Sequence, residues 1–353
     1  MFNRIRKLAL VSMLSVAALP ALAQEVTWQV PTSVPEGSPF YVNFLERFAE
    51  NVDVLTNGRV LIEPFGAGVL VPALQVYDGV RDGIVQAGHS TPSYLVNQDP
   101  TNAIFAGFPG GMGPEAYITW IYEKGGKEKL AELRAKDGFK NLIVGIGSSE
   151  VMAHSNVPIT KAEDLKGMKY RTSGPWAKVM EEYFGAVPTV VPPGEIYTLL
   201  QRKGVDLIEW GPPSANMPEG FHEAAKYIIV PGVHQPTFLW EVVLKQETWD
   251  ALPDDLKPLL EKAAELTTMQ ALINFYGGDV EAMDTYRKGK NEVITLSPEF
   301  IKELSDAGVD WISKTAEAQK AEGKAEMSDI LADYMAFKSL WSAESSYLVR
   351  NQD

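Results

Sequence analysis

Residues 164–213 read DLKGMKYRTSGPWAKVMEEYFGAVPTVVPPGEIYTLLQRKGVDLIEWGPP, and this stretch decides the fold. Lys169-Tyr170-Arg171 follows a helix stop at Gly167 and runs into the turn residues Ser173-Gly174-Pro175, so Arg171 falls at or just past the end of a short strand. Val205-Asp206-Leu207-Ile208 reads as a second, buried strand that empties into Glu209-Trp210 and then the breakers Gly211-Pro212-Pro213. Pro175 to Phe184 and Glu195 to Arg202 carry helical spacing, which makes two β-α units. Ligands of open α/β sheets lie in the crevice beyond the carboxyl ends of strands. A guanidinium, a carboxylate and an indole placed there suit a small anion bound together with a cation. The same spacing also allows a surface ion pair of Arg171 with Glu209, worth about 0–1 kcal/mol, with Trp210 as packing.

Upstream, Glu25 to Val30 alternates as a strand, about 39–55 has helical spacing, and Arg59 to Pro64 is a second strand. A helix over 73–81 ends at Gly83, and Ile84 to Ala87 reads as a third strand running into His89-Ser90-Thr91-Pro92-Ser93-Tyr94. Gly66 and Gly68 match neither G-x-G-x-x-G nor G-x-x-x-x-G-K and are turn glycines. Tyr94 and Phe108 follow apolar segments, which puts them on the cleft rim or, as aromatic side chains often are, in the core. Strand and helix alternate at a spacing that implies a mostly parallel sheet. Leu142 to Ile146 is strand-like, and Thr160 with Glu163 forms a T-x-x-E capping box. Glu241 lies inside the apolar strand 238–244, where a carboxylate is costly unless it is paired or holds a cation. From Pro253 the chain is helical: one amphipathic helix broken or kinked at Gly277-Gly278, two more at 298–306 and 309–320, and a last one at about 327–341. The last is apolar enough to dock on its own domain or on a second copy.

The first 23 residues have the form of a secretory leader: Arg4, Arg6 and Lys7, an apolar run from Leu8 to Leu19, and the small-residue site Ala21-Leu22-Ala23. That run is too short to span a membrane, so the mature chain is expected to be exported, soluble and periplasmic. Loss of the three cations takes the net charge from −14 to −17, which argues against nucleic acid or an anionic membrane surface as partner. About 330 remaining residues exceed one comfortable core, so two domains are expected. There is no cysteine, which removes thiol chemistry and disulfides. The four histidines lack zinc-site spacing and no G-x-S-x-G elbow occurs. Glu150 with Glu209 leaves open a periplasmic carboxylate-dependent hydrolase.

In order and spacing, the segments GAGVLVPALQVYDGVRDG, NAIFAGFPGGM, ITWIYEKGG, DLKGMKYRTSG, PPGEIYTLL, GVDLIEW, AAKYIIVPG and DYMAFKSLW resemble the periplasmic solute-binding subunits of TRAP transporters, in the branch that binds 2-oxo and 2-hydroxy acids. The resemblance implies an α/β fold of two lobes that close on ligand like a hinged trap, with a long interdomain helix and an extra C-terminal helix. It implies a first lobe of 24–147 plus about 238–270, a second of 148–237 plus about 271–325, and an extension at 326–353 through which two copies can pair. Arg171 matches the arginine that binds the ligand carboxylate, where a bidentate fork favours arginine over lysine. Glu209 and the Trp210 main-chain carbonyl match cation ligands, with Glu241 as a further acidic contributor. Glu150 stands where the branch carries glutamine, and its extra charge favours Ca²⁺ over Na⁺. The chain departs from the branch at Ala153-His154-Ser155, Phe108-Pro109-Gly110 and Pro212-Pro213, which puts the identity of the acid in doubt. The expectation is a non-enzymatic receptor that hands a small organic acid to TRAP membrane permease subunits; a binder of polyols or other neutral solutes is the alternative.

Overall fold

The computed structural model describes residues 24–347; the leader and its cleavage site lie outside the described residues. Among the described residues, eleven strands form two sheets, the first of them in two parts joined by a single bridge. The first contains β1 (Val26–Pro31), β2 (Val60–Phe65), β3 (Ala87–Ser90) and β4 (Phe139–Gly147). The second contains β5 (Ala153–Ser155), β6 (Lys169–Arg171), β7 (Val187–Thr189), β8 (Leu207–Ile208) and β9 (Tyr227–Val230). The chain then returns to the first sheet as β10 (Phe238–Lys245) and gives β11 (Glu292–Thr295) to the second.

β1 and β2 are parallel, and a parallel bridge from Thr32 to His89 joins them to the order β3-β10-β4. The second sheet runs β11-β9-β5-β8-β6-β7. The expected mostly parallel sheet is in fact mixed. β10 is antiparallel to both β3 and β4, and β5 is antiparallel to β8 and β9. Both are the strands by which the chain crosses from one lobe to the other, so each enters its sheet against the local direction.

Three local expectations shift for physical reasons. The third strand starts at Ala87, because Ile84 is exposed and its N–H, with that of Val85, closes the preceding helix on the Gly79 carbonyl. The capping carboxylate near Thr160 is Asp164, one residue later than expected, and Oδ2 accepts from Thr160 N at 2.9 Å and Thr160 Oγ1 at 2.9 Å. Neither Gly277-Gly278 nor Gly308 interrupts a helix: Lys257–Lys288 and Pro298–Ala321 are each continuous. A Cβ on Gly278 would lie 2.9 Å from Ser214 Cβ, and one on Gly308 would lie 2.4 Å from Pro109. These glycines allow close approach between packed segments.

The long helix Lys257–Lys288 packs along β4 and against the turn Pro213–Asn216 of the second lobe. Its Asp279 accepts from Ser148 Oγ at 2.5 Å and from Ser214 N at 2.9 Å, tying the exits of β4 and β8 together. The terminal helix Glu326–Glu344 docks on its own chain. Tyr334 is buried there and accepts from Met112 N at 2.6 Å, while Leu340 stays exposed. Beneath the cleft, the Phe40 ring lies 5.1 Å from Trp210, 5.4 Å from Phe238 and 5.5 Å from Trp240, so aromatic groups from both lobes share one core. Among the described residues no helix is long and apolar enough to cross a membrane.

Candidate ligand and cation site

Parallel pairing of β6 with β8 sets Arg171 beside Ile208, and the next residue, Glu209, donates its N–H to the Arg171 carbonyl at 3.1 Å. Two strand ends thus deliver opposite charges to one point. Arg171 Nη1 donates to the Glu209 carbonyl at 2.8 Å and stands 3.5 Å from Glu209 Oε1, while Nη2 donates to the Val191 carbonyl at 3.3 Å. The guanidinium lies 5.6 Å from the centre of the Trp210 ring. Arg171 is 1% exposed and Glu209 4%, which excludes the surface ion pair that the spacing also allowed. Glu209 Oε1 accepts from Ser173 N at 3.0 Å.

Glu150 arrives from the exit of β4 and is fixed by the loop that precedes β10. A Cβ on Gly232 would fall 2.0 Å from the Glu150 carbonyl oxygen, so only glycine lets that loop pass. His234 Nε2 lies 3.1 Å from Glu150 Oε2, and Glu150 N donates to the Gln235 carbonyl at 3.3 Å. One oxygen each of Glu150 and Glu209 and a ring nitrogen of His234 lie within 4.8 Å of one another.

The electrostatics follow from burial. Burial and then the Glu209 charge push the Glu150 carboxyl well above the usual carboxylate range, against the pull of Arg171. Burial also raises Glu209, again opposed by Arg171. Burial lowers His234 to about 3, so its imidazole is neutral at physiological pH. Tyr94 is pushed up to about 12 by burial and stays a phenol. Burial thus favours a neutral Glu150, and only with a cation present to hold both carboxylates ionised beside the one arginine does the site's own charge come to −1.

Arg171, Glu150, Glu209, Trp210 and Tyr94, but not His234, line one cavity together with Phe40, Thr91, Ser93, Ser173, Gln235, Phe238 and Trp240. Its volume is about 20 Å³, on a measure by which a single buried water needs about 10–15 Å³. Arg171 Nε and Trp210 Nε1 are buried donors without a protein partner. The donor set, two orphaned N–H groups beside two buried carboxylates served by one arginine, suits the chemistry of an anion with a hard cation, while the closed cavity itself has room for one or two waters.

Of the residues expected from sequence, Arg171, Glu150, Glu209, Trp210 and Tyr94 come together here. Two do not. Glu241 is fully buried in the first lobe, where Oε1 accepts from Arg134 Nε at 2.7 Å and Tyr77 Oη at 2.8 Å and lies 2.6 Å from Arg134 Nη2. Its Oε2 accepts from Asn141 Nδ2 at 3.0 Å, so its lone pairs are engaged away from the cavity. The physical reason is the pleat: Trp240 faces the cavity, and the residue after it points to the other side of β10. Phe108 is 0% exposed and packs 5.3 Å from Tyr334 under the terminal helix. Sequence reasoning missed His234, Gln235, Phe40 and Trp240 as parts of the site. The available signal was polar His234-Gln235 immediately before Pro236 at the entry to an apolar strand.

The family model for bacterial extracellular solute-binding proteins, family 7, matches residues 31–319. A monocarboxylate 2-oxoacid-binding periplasmic protein of Nostoc sp. is 28% identical over 84% of this chain and 81% of its own. In structure the chain is similar to a TRAP periplasmic solute-binding protein from Pseudoalteromonas atlantica with bound sodium and pyruvate, at a TM-score of 0.85 and 24% identity, covering 92% of this chain and 97% of that one. It is as similar, at 0.85, 24%, 92% and 97%, to one from Colwellia psychrerythraea with bound calcium and pyruvate. The two-lobed fold, the matching family model and the charged cavity between the lobes agree: this chain belongs to family 7 of the bacterial extracellular solute-binding proteins, the receptors of TRAP transporters, and binds its solute rather than transforming it.

Proposed function

We propose that the chain captures a small 2-oxo or 2-hydroxy monocarboxylate together with a cation and delivers it to the TRAP membrane permease subunits after a leader ending near Ala23 has been removed. The observation that carries this reading is the buried Arg171, which lines a small cavity with Glu150 and Glu209 and whose Nε has no protein partner. In this reading the acid's carboxylate sits on Arg171, and the cation is held by Glu209, the Trp210 main-chain carbonyl and Glu150. The cation supplies positive charge between the acid and these oxygen donors. Charge favours Ca²⁺: the site's net −1, one divalent cation and one monoanion sum to zero, whereas Na⁺ leaves a buried negative charge. Neutral His234 orients Glu150 by donating Nε2–H to Oε2. The relative that binds monocarboxylate 2-oxoacids and the structural neighbours with pyruvate beside sodium or calcium support the same ligand class.

The lobes, in this reading, are 24–147 with about 238–270 and 148–237 with about 271–325. Two copies pair through the C-terminal helix and the long helix. Leu266, Met269, Ile273, Tyr276 and Val280 are exposed along the long helix at alternating three- and four-residue spacing, a seam that a twofold axis makes self-complementary. Tyr276 and Trp341 border the same depression of about 650 Å³, so the seam continues onto the terminal helix.

Thermal unfolding with small carboxylates, after chelation and after adding back Ca²⁺ or Na⁺, tests the site. A ligand at one hundred times its Kd stabilises by about 2.7 kcal/mol. Stabilisation by a 2-oxo or 2-hydroxy acid that is lost on chelation is expected; stabilisation only by uncharged solutes refutes the reading.

A further inference from the structure

Asp279, on the long helix, joins the two chain segments that carry the proposed cation ligands. Its Oδ2 accepts from Ser148 Oγ at 2.5 Å, and its Oδ1 accepts from Ser214 N at 2.9 Å and from Ser214 Oγ at 2.6 Å. Ser148 stands two residues before Glu150, and Ser214 four residues after Trp210. The same segments meet a second time between those ligands and the serines, where Val151 N donates to the Gly211 carbonyl at 3.0 Å and Asn216 Nδ2 donates to the same oxygen at 2.7 Å. A single join would let the segments pivot about it. Two joins fix the angle between them as well as their separation. Burial raises the Asp279 carboxyl and the bonds from Ser148 and Ser214 pull it back down, so its acceptor capacity is spent on this brace.

We propose that Asp279 is a positioning residue of the cation site, bracing the Glu150 and Glu209-Trp210 segments at the spacing one metal ion can span. The inference rests on the reading that Glu150, Glu209 and the Trp210 carbonyl hold that ion. Asp279 does not line the cavity, so it acts through the backbone of its partners. The need for a brace is electrostatic: Glu150 and Glu209 repel each other once both ionise to take the metal, and unbraced segments would relieve the repulsion by moving apart. Support of this kind fixes first contacts to a metal from outside them.

The test is competition of the mature protein against a calcium dye, with unfolding by denaturant measured on the same variants. Asp279→Ala is expected to bind calcium about tenfold more weakly than wild type. Asp279→Asn should stay within about threefold, because its amide offers an oxygen to Ser214 N and an NH₂ to Ser148 Oγ. Ser148→Ala should weaken calcium binding by itself, and adding it to Asp279→Ala should cost little more, since both act through one bond. Ser148→Ala and Ser214→Ala together serve if Asp279→Ala does not fold. Thr268→Val is the control: it removes another bond between the same helix and the same strand, from Thr268 Oγ1 to the Ile143 carbonyl at 3.0 Å, and should lower stability without moving calcium affinity. Asp279→Ala within about twofold of wild type overturns the proposal and leaves the cation reading standing. Asp279→Asn as weak as Asp279→Ala would make charge rather than bracing the cause, and Thr268→Val as weak would make it general loosening; either result overturns the proposal too. Wild type that binds no calcium overturns both.

Discussion

Arg171→Lys separates a ligand-binding arginine from one that only clamps the second lobe. Lysine keeps the charge beside Glu209 but loses the planar fork and the unpartnered Nε. A carboxylate held by two charge-assisted hydrogen bonds would keep one, for a loss of about 1.5–3 kcal/mol. That is roughly tenfold to 150-fold in Kd. The structural cost should be smaller, about 1 kcal/mol, from the Val191 carbonyl that loses its donor at 3.3 Å. Calorimetric titration with pyruvate at fixed calcium measures the first quantity, and chemical denaturation without ligand measures the second. A variant that binds within about threefold of wild type while unfolding more easily would refute the assignment and make Arg171 a strut between Glu209 and Val191.

Glu241→Gln should destabilise the fold by about 3–5 kcal/mol, because it leaves buried Arg134 without its carboxylate, yet leave calcium affinity unchanged in denaturation and titration experiments. His234→Ala should weaken calcium binding by about 10- to 100-fold, with His234→Gln recovering part of it, as read by competition against a calcium dye. His154 is buried on β5 with neither ring nitrogen partnered, and burial lowers it to about 3. The unfolded chain therefore takes up the proton first as pH falls below about 6.5, and native stability is lost through the window down to about 3. His154→Phe removes this term. Its stability advantage over wild type should grow by about 1.4 kcal/mol per pH unit below 6.5, checked by denaturation at pH 7 and pH 5.

Much of the site was legible because short-range chemistry fixed it. Gly167, Gly174 and the run Gly211-Pro212-Pro213 punctuate β6 and β8, so Arg171 and Glu209 had to fall at strand ends. Parallel neighbours then make those ends adjacent. The errors came where a partner distant in sequence decides. The costly Glu241 carboxylate did demand a partner, but Arg134, 107 residues away, supplies it instead of a cation. Gly278 and Gly308 have the composition of breaks, and only Ser214 and Pro109 packed against them reveal why the helices pass through. His234 carried no spacing signal, since its role depends on a loop folding back over Glu150.

The aromatic core beneath the cleft gives the molecule an optical reporter of its own. Trp210 belongs to one lobe, while Phe40 and Trp240 belong to the other sheet's side of the seam, and the Trp240 ring lies 4.9 Å from His89. Parting the lobes must pull one indole off Phe40 and wet both. Trp176, 5.5 Å from the His234 ring, borders the site as well, and the other five tryptophans lie outside the cavity lining and supply the background. Emission should therefore shift to the blue on closure, and mixing experiments on unlabelled protein can time the arrival of the acid separately from that of the metal.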